Sequence, residues 1–228
     1  MGTMTADPAQ EQHDIDIPCE AVLFDCDGVL VDSVDSGERS WRQWSGEYGL
    51  DPALVLDGVH GRRSAETVAL FLPPDLHRDA LARIDAIEIG QAVDTRPIAG
   101  ARQLLGQLVH PWAVVTSASA PLLAARLTAA SLPTPPVLIT AGEVRLGKPD
   151  PEGYLLAADK LGVPIQDCVI VEDSATGIRA AAAATPYRII GVGEAAKDSA
   201  ADLVVRDLTG ITSTSTGLRV QAAALSRA

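Results

Sequence analysis

Positive charge and cysteine are both scarce in this sequence. Its 228 residues carry 18 Lys and Arg against 30 Asp and Glu, a formal net charge of −12, and the pI is near 4.6. No basic stripe is available for a polyanion, so nucleic acid and anionic membrane surfaces are excluded as general partners. Cys19, Cys26 and Cys168 are the only cysteines. An odd number without framework spacing rules out a disulfide scaffold or a zinc knuckle, and fits a reducing compartment. No apolar run nears the ~20 residues that cross a bilayer. The opening MGTMTADPAQEQHDIDIP has neither a basic n-region nor an apolar h-region, so no secretory leader is expected. Ala6 stands where a myristoylation signal has Ser or Thr. A soluble, cytoplasmic chain with no membrane partner is expected, with monomer as the default state.

What is present is enough apolar material for a core. Hydrophobic residues make up 47% and charged residues 21%, which excludes bulk disorder. The length fits one large domain, or one domain carrying an insertion. Short continuous apolar runs recur at Ala21–Asp25, Trp112–Thr116, Val137–Thr140, Val169–Val171, Arg188–Val192 and, more weakly, Leu203–Val205. Continuous rather than alternating runs are how strands buried on both faces read. Between them, Ala101–Val109, Pro121–Ala130, Pro151–Leu161 and Thr176–Ala184 carry helical spacing. Strand–helix alternation predicts an α/β fold, a Rossmann-like parallel sheet with right-handed crossovers. Residues 36–94 break the rhythm: they hold amphipathic patches such as Ala65–Leu72, no convincing strand, and a Pro73–Pro74 turn. The expected organisation is a discontinuous core, 18–35 and 95–212, with a small all-helical insertion at 36–94. Residues 1–17 and 213–228 are expected to be flexible tails.

The first run ends in Asp25-Cys26-Asp27-Gly28. Residues two apart on an extended backbone point the same way, so both carboxylates can project past the strand's carboxyl end, where open α/β sheets bind ligands. One reading is a turn or helix-capping pair before a glycine. The other is a nucleophile and a general acid/base around a divalent metal. Cys26, between them, points the opposite way and is expected in the core. Thr116-Ser117 ends the second run, which fits either an N-cap or a phosphate contact. Lys148, one of only three lysines, is pinned between Gly147 and Pro149; it is either a loop lysine or a cation set against the carboxylates. Glu172-Asp173-Ser174 follows a third run, with Asp173 an N-cap or part of an oxygen-ligand site for Mg²⁺.

Taken in order, Asp25-Cys-Asp27-Gly-Val-Leu-Val-Asp32-Ser33, Val-Val-Thr116-Ser, Gly-Lys148-Pro-Asp-Pro and Val-Glu172-Asp173-Ser-Ala-Thr-Gly-Ile resemble the haloacid dehalogenase superfamily. The resemblance runs from about Cys19 to Asp207 and takes in the helical insertion, which is similar to that superfamily's small helical cap. Within the superfamily it is nearest to the sugar- and polyol-phosphate phosphatases, on the stretches His60-Gly61-Arg62, Trp112–Ser119 and Ile139–Pro151.

That resemblance implies roles. Asp25 would be the nucleophile and Asp27 the acid/base, with Thr116 and Lys148 on the transferring phosphoryl group. Mg²⁺ would be held by Asp25, the backbone carbonyl of Asp27 and Asp173, with Glu172 nearby. His60, Gly61, Arg62 and Ser117 form the candidate substrate-binding set. Arg62 leads it because a fork of donors suits a hydroxyl-rich phosphorylated ligand. Arg63 and Glu66 are expected on the solvated face, and Trp41 and Trp44 inside the insertion. The implied activity is Mg²⁺-dependent hydrolysis of small sugar or polyol phosphate monoesters. Dehalogenases of the superfamily lack the second aspartate, which is present here as Asp27. Phosphonate-cleaving members use a cap lysine, and residues 36–94 contain none. A β-phosphoglucomutase-like mutase and a silent phosphometabolite-binding module are the alternatives; against the mutase, Gly37 falls where those enzymes carry a histidine.

Overall fold

The computed structural model describes residues 13–57, 59 and 61–226. At its centre is a six-stranded parallel sheet of β2 (Ala21–Phe24), β5 (Trp112–Val115), β6 (Val137–Ile139), β7 (Cys168–Glu172), β8 (Arg188–Val192) and β9 (Leu203–Val205). Their spatial order is β6-β5-β2-β7-β8-β9. The continuous apolar runs are these strands, and alternate residues of each serve opposite faces. Val22, Phe24, Val114, Val169, Val171 and Ile190 pack to one side, and Ala21, Leu23, Ala113, Val115 and Ile170 to the other. Four helices cover the sheet: α5 (Ala101–Gln107), α6 (Ala120–Ala129), α7 (Glu152–Leu161) and α8 (Ala175–Ala184). The starts of α6 and α8 are fixed by Ser119, which accepts from the Leu122 N–H, and Ser174, which accepts from the Gly177 N–H. The sheet order reverses at β2, with β5 on one side and β7 on the other, so the crevice lies at the carboxyl end of β2.

The expected tails need correction. β1 (Ile15–Pro18), β10 (Ile211–Thr214) and β11 (Gly217–Val220) form a second, antiparallel sheet in the order β1-β11-β10. Ile17, Ile211, Leu218 and Val220 are buried and join the first face of the main core. β1 and β11 alternate apolar and charged residues, as expected of a sheet with one wet face, β10 contributes only Ile211 to the apolar side, and each strand is only four residues long. Residues 1–12 lie outside the described residues.

The helical insertion follows the first strand of the parallel sheet. It contains α1 (Val34–Glu47), α2 (Pro52–Leu56), α3 (Ser64–Phe71) and α4 (His77–Gln91). The chain enters through β3 (Val31–Asp32) and leaves through β4 (Arg96–Pro97), which pair antiparallel and tie the two crossings together. The insertion has an apolar cluster of its own, built on Trp41, Trp44, Val55, Val68, Ala80, Ile84 and Ile87. Trp41 and Trp44 meet edge to face at 5.2 Å. The Trp44 indole N–H donates to the Ala80 carbonyl at 3.0 Å, so this buried polar atom is satisfied.

Candidate active site

Asp25 is the first residue past β2, and its N–H still bonds to the Val171 carbonyl of β7 at 2.9 Å. The backbone therefore carries the sheet's register right up to the carboxylate. Thr116 follows β5 in the same way, its N–H bonded to Ile139 at 2.9 Å. Glu172 is the last residue of β7, and Asp173 and Ser174 lead into α8. Lys148 comes from the connection between β6 and α7. Four separate sequence segments thus meet at one sheet edge.

The ammonium group of Lys148 organises the centre of this edge. Nζ donates to Asp25 Oδ1 at 2.8 Å and to Glu172 Oε1 at 2.6 Å, and it stands 5.3 Å from the Tyr154 ring centre. The other oxygen of Glu172 accepts from the Ser174 N–H at 2.7 Å and from its hydroxyl at 3.1 Å. With both oxygens taken and no exposure at all, Glu172 holds Lys148 and the start of α8 from behind. Burial works to lower the Lys148 pKa, yet Asp25 and Glu172 outweigh it and hold the group well above its usual value. Burial pushes the Asp25 carboxyl up to about 7 against the pull of Lys148, with Glu172 and Asp27 adding repulsion. Asp173 is raised by the same causes, burial first and then Glu172 and Asp25.

This edge is short of positive charge. Asp25, Glu172 and Asp173 each offer a carboxylate oxygen, all within 4.8 Å of one another, and a single ammonium faces them. Hard oxygen donors with uncompensated charge fit a divalent cation of the Mg²⁺ type. Asp173 reaches the cluster because Gly28 makes room: a Cβ at Gly28, where φ is +80°, would lie 2.0 Å from Asp173 Oδ2. The glycine ending the Asp-Cys-Asp-Gly motif thus serves a residue almost 150 positions later.

Asp27 has different partners. Its Oδ1 accepts from the Ser33 hydroxyl at 2.6 Å and its Oδ2 from Arg126 at 2.9 Å. Ser33 sits where a serine would ordinarily cap α1, but it makes no capping bond; its hydroxyl is spent on Asp27. The second arm of Arg126 donates to Glu88 Oε1 at 3.0 Å. Burial pushes the Glu88 carboxyl up to about 7, against the pull of Arg126. Arg126 and Glu88 were not among the sequence candidates. The signal for them was helical spacing, which puts Arg126 four residues after the buried Leu122 and Glu88 four after the buried Ile84.

A cleft of about 100 Å³ opens above the edge, lined by Asp25, Asp27, Thr116, Asp173, Arg62 and Trp41 among others. Thr116 accepts from the Ala118 N–H at 3.1 Å, which leaves its hydroxyl proton to donate. Arg62 is half-buried at the cleft; its backbone N–H bonds to the Val59 carbonyl at 3.2 Å, and its side chain makes no hydrogen bond or ion pair to another of the described residues. Ser117 donates to the Gly61 carbonyl at 2.8 Å, so it joins the insertion to the core. His60 lies outside the described residues. Arg63 departs from expectation. It donates to the Val144 carbonyl at 3.1 Å and to Glu66 at 2.8 Å instead of facing solvent. The loop of the core beneath it supplies free carbonyls, and the local sequence around Arg63 does not reveal them. Trp41 and Trp44 are buried as expected, and so is Cys26.

With this geometry, comparison with known proteins is direct. The family model described as haloacid dehalogenase-like hydrolase matches residues 19–185, and the chain belongs to that family. Hexitol phosphatase A of Escherichia coli (strain K12) is 38% identical over 205 residues, covering 86% of this chain and 94% of the relative. The 2-deoxyglucose-6-phosphate phosphatase 1 of Saccharomyces cerevisiae is 33% identical over 217 residues, covering 83% and 88%. CbbY from Rhodobacter sphaeroides, solved in complex with phosphate, superposes with a TM-score of 0.73 at 24% identity, over 84% of this chain and 95% of that one. That last likeness concerns the fold. Enzymes of this family generally use a divalent metal, which agrees with the carboxylate cluster. Among the described residues no helix is long and apolar enough to cross a membrane.

Proposed function

We propose that this phosphoric monoester hydrolase is Mg²⁺-dependent and acts on small sugar or polyol phosphates through an aspartyl phosphate on Asp25. The observation that carries the reading is Asp25 itself. It is a buried carboxylate at the carboxyl end of the central strand, with a lysine at 2.8 Å and a cleft in front of it. The substrate class is supported by the relatives named as hexitol and 2-deoxyglucose-6-phosphate phosphatases. Three free, buried cysteines suit a reducing, cytoplasmic setting.

In this reading Asp25 attacks phosphorus, the ester P–O bond breaks, and Asp27 delivers a proton to the departing alkoxide. Asp27 then takes a proton from the water that hydrolyses the aspartyl phosphate, freeing Asp25 and inorganic phosphate. Lys148 favours the ionised form of Asp25, holds it in place and neutralises a phosphoryl oxygen, while Thr116 donates a hydrogen bond to another. Mg²⁺, held by Asp25, the Asp27 carbonyl and Asp173, would offset the charge that phosphoryl transfer concentrates there. Residues 36–94 act as the cap over the core, excluding water and presenting Arg62 to the leaving group.

The test is phosphate release with Mg²⁺ across sugar, polyol, nucleotide and glycerol phosphates, with Asp25→Asn as the blank. Selective release from a sugar or polyol phosphate is expected. A folded protein that releases nothing above the blank overturns the reading.

A further inference from the structure

Arg126 is nearly enclosed, with 7% of its side chain exposed, and a buried guanidinium cannot shed its charge at any ordinary pH. An apolar seam joins the start of α6 to the end of the insertion. Ala118, Leu122 and Ala125 pack against Ala92 and Ile89 from the end of the insertion. Within that seam the two arms of one guanidinium reach two carboxylates on different parts of the fold. Asp27 of the core is 2.9 Å away and Glu88 of α4 is 3.0 Å away. A planar fork can hold both at once, which a single ammonium on a flexible stem does less well.

Asp27 is held at both ends as a result. Ser33 fixes Oδ1 and Arg126 fixes Oδ2, so the carboxylate plane has little freedom, although 29% of the side chain remains exposed to the cleft. Glu88 gives Arg126 a second anchor and is itself 7% exposed, so neither carries its charge alone. Neither Arg126 nor Glu88 belongs to the four strand-end segments that build the centre.

We propose that Arg126 is the positioning residue of the acid/base Asp27, held in register by Glu88, so that the last helix of the insertion and the second aspartate share one ion chain. This rests on the reading of Asp27 as the group that protonates the leaving oxygen. It assigns Arg126 no contact with substrate. Its consequence is that losing Arg126 weakens proton delivery specifically, so the damage grows with the basicity of the leaving group.

The experiment compares kcat/KM on aryl phosphates of similar size whose phenols range from dinitrophenol to unsubstituted phenol. kcat/KM reports steps up to departure of the first product, which isolates the protonation. Asp27→Asn is the reference, and general-acid losses of about 10²–10⁴-fold are expected for the most basic leaving group. Arg126→Met should lose at least about 10-fold more on phenyl phosphate than on dinitrophenyl phosphate, with Arg126→Lys recovering part of the difference. Because Arg126→Met strands a buried carboxylate, the Arg126→Met/Glu88→Gln double variant is measured beside it. Folding should recover in the double variant while the steep leaving-group dependence persists. Equal losses on every ester, or a dependence that returns to wild type in the double variant, would overturn the proposal and leave Arg126 a structural tie. A wild-type enzyme whose leaving-group dependence matches that of Asp27→Asn overturns the reading of Asp27 instead, and the proposal with it.

Discussion

At the sheet edge the charged groups other than Asp173 are already paired with one another, whereas the insertion above it presents a cation whose side chain pairs with none of the described residues. Lys148 meets Asp25 and Glu172, and Glu172 meets Ser174. Arg126 likewise divides itself between Asp27 and Glu88. Arg62 has no such partner among the described residues, yet it lines the same cleft. The two arrangements suit different tasks. Phosphoryl transfer needs groups already placed, because reorganisation at the moment of reaction costs rate. Recognition of a variable leaving group needs donors still free to pair with the ligand. The contrast predicts that edge residues govern whether reaction occurs, and insertion residues which ester reacts.

The severest break of that comparison is Asp25→Asn. Turnover should vanish on every ester while the fold and phosphate binding persist, as read by phosphate release and circular dichroism. Turnover retained at wild-type level on any ester would remove Asp25 as the nucleophile. Removal of the metal should be nearly as severe but reversible: EDTA stops phosphate release and added Mg²⁺ restores it. Activity that ignores EDTA would mean the carboxylate cluster does not work around a cation.

Lys148→Met comes next and separates chemistry from stability. It leaves Asp25 and Glu172 buried and facing each other without a cation, and breaking a buried ion pair from one side costs about 3–5 kcal/mol. For a chain of this length that lowers the thermal midpoint on the order of 10 °C. Added Mg²⁺ should return part of the loss, because a second cation at the edge replaces some of the missing charge. A midpoint unchanged within a degree would show that the lysine is not the counter-ion the geometry makes it.

How far the sequence reveals all this differs between the same two regions. The edge is legible because three of its four segments directly follow a continuous apolar run, so a strand end and its functional group are read together. Lys148 stands out as one of three lysines, pinned between Gly147 and Pro149. Glu172 is an exception in role: its neighbourhood with Asp173 points to a metal ligand, and only the fold shows both its oxygens engaged by Lys148 and Ser174. The ion chain is half legible. Spacing puts Arg126 and Glu88 on buried helix faces, but their pairing spans 38 residues, and that of Arg126 with Asp27 spans 99. No local pattern encodes a partner so distant. Strands β10 and β11 escape for another reason. Thr212, Ser213 and Thr214 dilute the apolar alternation to one or two residues per strand, too few to stand out from a polar tail.

Arg62→Ala probes the other side of the comparison, and its effect should be selective. Nothing in the described fold leans on the side chain, so the thermal midpoint should hold. A hydrogen bond to a charged group is worth ~1.5–3 kcal/mol, which corresponds to a loss of about 10- to 100-fold in kcat/KM on the preferred sugar or polyol ester. p-Nitrophenyl phosphate, which offers no hydroxyls, should lose far less. Equal losses on both would make Arg62 part of the general phosphate machinery and erase the distinction drawn between edge and insertion.

Gly61→Ala should have the smallest effect and is the finest test of how the two regions are joined. Gly61 has φ of +77°, and a Cβ there would lie 2.7 Å from the Ser174 hydroxyl. That hydroxyl cannot simply yield, because it is bonded to Glu172 and accepts from the Gly177 N–H at 3.0 Å. A left-handed alanine costs about 1–2 kcal/mol before any contact is counted, a fall of a few degrees in the midpoint. Gly90→Ala, at an exposed position in α4 with open space around its Cβ, should instead gain up to ~1 kcal/mol. Opposite signs for the two substitutions would locate the strain at the junction of insertion and core. A shared sign would mean that Gly61 is held no more tightly than an ordinary helix position, and that the insertion does not lean on the start of α8.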